Sequence, residues 1–265
     1  MSASLIASKE VSTMFTPAEA AANYVAVGKG KANLPLGKMF LLAVLAGAFI
    51  ALAGAAATFG NVYVNKAVGA AIFPAGLAMV LIAGSELFTG NCLLIIPLLE
   101  KQVTLGQVVR NLSVVYLGNL VGGVLVSACA VYGGTFDAIA ETVVATALTK
   151  ATLPVSALFL RGILCNVLVC LGVWMGLAGK TVSCKIIGLF FPVFAFVICG
   201  YEHCIANMFY IPAGMMSAVR AGIAAEGLHL WGFVRNLIPV TLGNIVGGAG
   251  LGAMYWAIYL RKKSA

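Results

Sequence analysis

The sequence predicts an all-α membrane protein with six transmembrane helices arranged as two inverted three-helix repeats, spans two and five being broken. Three observations predict it. The chain is 62% apolar and only 9% charged, with a mean hydropathy of +1.06, whereas a soluble domain is about 25% charged. Apolar runs lie near residues 39–60, 68–98, 107–132, 154–179, 184–213 and 230–260, and the second and fifth run to about thirty residues, beyond the roughly 20 that a simple span needs. Those two runs carry related octets, Gly84-Ser85-Glu86-Leu87-Phe88-Thr89-Gly90-Asn91 and Gly200-Tyr201-Glu202-His203-Cys204-Ile205-Ala206-Asn207, in which Gly, Glu and Asn align at a constant offset of 116.

Residues 1–38 read as a cytoplasmic segment, 39–260 as the six-span membrane domain and 261–265 as a short cytoplasmic tail. In the first segment Thr16-Pro17-Ala18-Glu19 is a helix start: Thr as cap, Pro at the first position, Glu three after the cap. The Ala-rich stretch to Val27 is expected to be a short interfacial helix, ended by Gly28, Gly30 and Pro35, with residues 1–12 mobile. No cleavable signal pattern is visible, so targeting is expected from the first span.

In span two, Gly69, Pro74 and Gly76 predict a loop near 73–77, because the Phe73-Pro74 bond biases Phe73 away from helix. A half-helix through the Glu86 octet should follow. In span five Pro192 and Gly200 bracket the matching place. Span three carries Arg110-Asn111-Leu112 and Leu117-Gly118-Asn119, and span six repeats them as Arg235-Asn236-Leu237 and Leu242-Gly243-Asn244 at an offset of 125. Three spans per repeat is odd, so the second copy enters from the opposite side and the octets meet near the midplane. Tyr255, Trp256 and Tyr259 before Arg261-Lys262-Lys263 form an interfacial belt that closes the last span.

Charge sets the orientation. Eleven Lys and Arg residues lie on the side holding both termini, against five opposite (Lys66, Lys150, Arg161, Arg220 and Arg235). This bias assigns both termini to the cytoplasm of an inner (plasma) membrane. The net charge of +8 is spread among loops and forms no basic-aromatic patch, so no nucleic-acid partner is expected.

Glu86 and Glu202 lie where an ionisable group costs at least ~2.5 kcal/mol, which marks a functional site by default. Half-helix N-termini directed inward would add partial positive charge suited to an anion. Either Glu reads equally as scaffold, pairing with Lys29, Lys31 or Lys150, and His203 taken alone reads as a bonded core residue. The seven cysteines include no Cys-x-x-Cys pair and lie almost wholly within apolar runs, so neither disulfide nor metal site is expected.

Three stretches resemble the signatures of the formate/nitrite transporter family: Leu81–Gly90, Gly162–Leu171 (followed by Gly172 where Ala is usual), and Gly200–His203 with Ala206–Phe209. The resemblance implies an aquaporin-like protomer in a homopentamer within the lipid bilayer, with no cofactor and no enzymatic activity, conducting small monovalent weak-acid anions. His203 resembles the midpore histidine and Thr89 the threonine beside it. Leu87, Phe88 and Phe196 look like apolar constrictions flanking that histidine, and Phe73 and Leu77 like the cytoplasmic-side narrowing. Glu202, Asn166 and Lys150 are similar to the polar set behind the pore, with Glu86, Asn91 and Asn207 completing the intramembrane polar groups.

A bare anion crossing an apolar constriction carries a large desolvation penalty, and its neutral acid a far smaller one. Histidine, with a pKa near neutrality, suits proton exchange at that point. The expectation is a formate channel with pH-dependent passage near His203. Hydrosulfide or nitrite conduction and proton-coupled symport are the alternatives, with a membrane-embedded redox enzyme a remote one.

Overall fold

The structure, a computed structural model, describes residues 12–261. The mobile terminus expected over 1–12 and the tail at 261–265 lie outside that range except for Ser12 and Arg261. Helix α1 (Pro17–Ala32) has the expected capping box between Thr16 and Glu19. It does not stop at Val27. Gly28 and Gly30 are accommodated inside it, and Gly28 lets it lie against α6 (Ile95–Leu99), since a Cβ there would come 2.8 Å from Pro97 Cγ.

Spans one, three, four and six are the continuous helices α2 (Leu36–Tyr63), α7 (Leu105–Tyr132), α9 (Val155–Ala178) and α12 (Leu230–Tyr259). Each is long and apolar enough to cross a bilayer, as is the stretch Lys66–Gly84 of span two. Helix α7 packs along α2, and α12 along α9. A Cβ on Gly122 would fall on the Val44 carbonyl and one on Gly247 on the Ile163 carbonyl. Small residues at these crossings bring the backbones close, the usual basis of helix association in lipid.

Span two is α3 (Lys66–Ile72), α4 (Pro74–Met79), a π-helical turn at Val80–Gly84, an extended stretch, then α5 (Phe88–Asn91), a 3₁₀ turn and α6. The loop expected at 73–77 is absent. Phe73 is helical at φ −57°, ψ −33°, and Pro74 starts a new helical turn, the one place where its missing N–H breaks no bond. The backbone opens later, at Ser85–Leu87, after Gly84 turns to φ +84°.

Span five is α10 (Val182–Ile198), which carries Pro192 without breaking, and α11 (Cys204–Ala221). It opens just before α11, where Gly200 takes φ +69°. Gly84 and Gly200, aligned in the two octets, both take the left-handed backbone that favours glycine. The opened segments lie against neighbouring spans: Glu86 N–H donates to Leu42 O at 3.2 Å and Glu202 N–H to Arg161 O at 3.3 Å. Non-helical backbone at this depth is held by protein.

Candidate functional site

Each opened segment begins a half-helix, and a buried asparagine caps it. Phe88 N–H donates to Asn119 Oδ1 at 2.9 Å, and Asn119 Nδ2 donates to Glu86 O and Ala43 O. In the other half Cys204 N–H donates to Asn244 Oδ1 at 3.0 Å, and Asn244 Nδ2 donates to Glu202 O and Gly162 O.

The two glutamates sit in matching networks. Lys31 Nζ, from α1, is 2.8 Å from Glu86 Oε1, and Lys150 Nζ, from α8 (Ala140–Thr152), is 2.9 Å from Glu202 Oε1. Asn91 Nδ2 donates to Glu86 Oε2 and Asn111 Oδ1, as Asn207 Nδ2 does to Glu202 Oε2 and Asn236 Oδ1. Asn111 and Asn236 in turn donate to the carbonyls of Lys31 and Lys150. Burial of a lone carboxylate is prohibitive, and an ion pair at one oxygen with an amide hydrogen bond at the other is what permits it here. In both pairs the lysine side chain is the more exposed member, 23% against 7% for Lys31–Glu86 and 17% against 4% for Lys150–Glu202.

Between the networks the symmetry fails. His203 is the N-cap of α11, and its Nδ1 accepts from Ala206 N–H at 3.0 Å. That bond leaves the proton of the neutral ring on Nε2, which lies 3.0 Å from Thr89 Oγ1. Asn166 Nδ2 donates to Thr89 O at 3.1 Å and to Asn244 O at 2.6 Å. The imidazole stacks on Phe196 at 5.8 Å, and Phe73 meets Phe196 edge-on at 5.7 Å.

Three cavities adjoin one another here through shared lining residues. One of about 170 Å³ lies on the Lys150 side, lined by Asn61, Thr142, Thr146, Lys150, Tyr210, Phe73, Phe196 and His203 among others. A void of about 10 Å³ follows, enclosed by Ile50, Phe73, Leu77, Leu87, Val169, Val193, Phe196 and His203. It is about the size that holds one water. Beyond Leu87 a cavity of about 40 Å³ opens on the Lys31 side. Phe73, Phe196 and His203 border the first two cavities, and Leu87 the last two. A larger cavity of about 450 Å³, beside Phe15, Trp174 and Tyr255, shares no residue with these three.

Most expected site residues thus come together, with two differences in placement. Phe73, expected on the narrowing nearest the termini, lies on the Lys150 side, because span two stays helical past it and turns it against Phe196. Phe88 is turned away and packs edge-on against Tyr116 at 4.9 Å. Sequence reasoning missed Ile50, Val169 and Val193 in the central void. They are ordinary apolar positions on helices, and no local signal separates them from core. In the expected belt, Tyr255 stacks on Trp174 at 4.2 Å and Trp256 Nε1 donates to Glu100 at 2.6 Å.

Two inverted three-span halves around a narrow apolar passage, interrupted by one histidine, define a membrane channel for a small solute. The chain belongs to the formate/nitrite transporter family, whose model matches residues 18–258. It is 40% identical to the formate channel FocA of Haemophilus influenzae, over 90% of this chain and 92% of that one. It is 38% identical to the nitrite transporter NirC of Escherichia coli, over 92% of each. A solved structure described as a pentameric formate channel with formate bound superposes with a TM-score of 0.73 at 34% identity, covering 85% of this chain and 98% of that one.

Proposed function

We propose that this protein is a homopentameric channel for a small monovalent weak-acid anion, formate first, with one passage in each protomer. It lies in the inner (plasma) membrane with both termini, and so the Lys31 side, in the cytoplasm. The observation that carries the reading is the His203–Thr89 pair, set between two cavities and flanked by Leu87 on one side and by Phe73 and Phe196 on the other.

Lys150 and Lys31 line the cavities and their paired glutamates do not, so an approaching anion meets the positive member of each pair. The central void has room for little beyond one small molecule, so the anion must shed its water there. Its desolvation penalty falls sharply once it is protonated. With Nε2–H directed at Thr89 Oγ1, the threonine hydroxyl has its own proton free for a substrate oxygen. A proton taken up at or near His203 lets the substrate pass Leu87 as the neutral acid.

Nitrite remains a second reading, because a relative only slightly less similar, 38% against 40% identical, carries that name. Uptake of formate, nitrite and hydrosulfide into proteoliposomes, for wild type and His203→Asn across pH 5–8, tests the proposal. Selective, pH-dependent flux that is lost or made pH-insensitive in the variant is expected. Unchanged flux and pH dependence in the variant would overturn the role of His203.

A further inference from the structure

The two mouths of the passage are built alike in their Lys–Glu–Asn networks, yet one holds a group the other lacks. Tyr24, from α1, lines the small cavity behind Leu87 together with Lys31, Ser85 and Asn91. Its side chain is 2% exposed, and its Oη is buried with no hydrogen-bond partner among the described residues. A buried tyrosine hydroxyl ordinarily finds a partner, because leaving the donor unmade forfeits its hydration without replacement. The neighbouring Ser85 hydroxyl makes only a long 3.5 Å contact with Val80 O. The cavity therefore joins a lysine to one unpartnered phenol and a weakly engaged serine hydroxyl.

Lys31 and Lys150 correspond at an offset of 119, which pairs Tyr24 with Val143. Val143 is buried in an apolar cluster with Phe136 and Phe209. Two tyrosines line the opposite mouth: Tyr210, whose hydroxyl makes a 3.5 Å contact with Gly54 O, and the partly exposed Tyr201. Among the described residues, a phenol that is both buried and without a hydrogen-bond partner thus belongs to the Lys31 mouth.

We propose that Tyr24 Oη is a substrate-binding donor, holding a small monovalent anion beside Lys31 immediately before it meets Leu87. The inference rests on the proposed anion channel and deepens it: the two mouths then bind the same anion differently. Phenylalanine at this position keeps the ring and its packing and removes only the hydroxyl, which makes no hydrogen bond among the described residues.

The test measures initial flux of formate, nitrite and hydrosulfide against concentration, in right-side-out and inverted membrane vesicles, for wild type and Tyr24→Phe. The expected result is a half-saturation concentration raised several-fold when the anion is offered from the Lys31 face and unchanged from the Lys150 face. An unchanged value on both faces, or an equal shift on both, would overturn the inference while leaving the channel reading intact. A wild type that carries none of the three anions would overturn the channel reading, and the inference with it.

Discussion

His203 and Leu87 occupy equivalent places in the two halves of the protein, each the N-cap residue of a half-helix that starts inside the membrane. The same substitution pattern runs through the groups around them. Thr89 corresponds to Ile205 at the offset of 116, and Asn166 to Gly47 at the offset of 119. The three side chains linked at the midpoint, His203, Thr89 and Asn166, each face an apolar residue or glycine across the pseudo-two-fold axis. The duplicated networks hold the two half-helices, and the unduplicated set supplies chemistry on one side of the narrowest point.

Replacing Thr89 by Val keeps the shape of the side chain and removes the acceptor for His203 Nε2–H. A buried donor left without a partner costs about 1–3 kcal/mol. Flux is expected to drop roughly tenfold, since about 1.4 kcal/mol is one decade in rate, with a displaced pH profile and a retained oligomer. Parallel uptake measurements at several pH values check this; a T89V protein with the wild-type profile would sever the link between the pair and conduction.

Gly84→Ala and Gly200→Ala should each destabilise the protein by about 1–2 kcal/mol, because a Cβ strains the left-handed backbone. An added Cβ at either position meets nothing within 4 Å, so the loss is conformational and not steric. Melting temperatures in detergent should fall for both, and similarly, since the two glycines serve the same turn in opposite halves. A fall in only one would show that the two breaks are not equally held.

Much of this was legible in the sequence because the polar residues are rare and repeat. Glu86, Asn91, Glu202 and Asn207 stood out as polar islands in apolar runs, and the Asn119 and Asn244 motifs repeated with them. The lysines that complete the networks were harder to pair. Lys31 and Lys150 sit on α1 and α8, helices without a shared motif, at an offset of 119 where the octets have 116. The position of the break in span two was misread for a physical reason: Pro74 marks a helix start as readily as an end, while the positive φ at Gly84 depends on tertiary fit. The central void is lined by Ile, Leu and Val, whose types are the same whether they face a passage or a core.

On the Lys150 side, outside the spans, Asp137 accepts from Arg220 Nε and Nη2 at 2.8 Å each. These bonds hold its carboxyl below the ordinary value of 3.8. A depressed folded pKa gives stability that is present above the unfolded value and lost as pH falls through the folded one. The melting-temperature difference between wild type and Asp137→Asn is therefore expected to be constant and small from pH 7 to about 5 and to shrink below about pH 4. The pair is exposed, so a large difference at neutral pH would contradict its open position.

Lys150 and Glu202 separate scaffold from electrostatics. Lys150→Met alone leaves the Glu202 carboxylate buried without its cation, a change that costs about 3–5 kcal/mol. Glu202→Gln alone keeps an oxygen for Lys150 but sets its NH2 against the donor Asn207 Nδ2; it leaves no carboxylate buried without a cation, so it should be milder. The double variant carries neither charge, and its stability should return most of the way to wild type, because a neutral buried pair avoids both desolvation penalties. Conduction should not return with it. The lysine that lines the 170 Å³ cavity is gone, and an anion entering from that side loses the positive member it would otherwise meet. Melting temperature and formate flux measured on all four proteins give the cycle. Recovery of stability without recovery of flux assigns Lys150 an electrostatic role in addition to its structural one, whereas recovery of both would reduce it to scaffold.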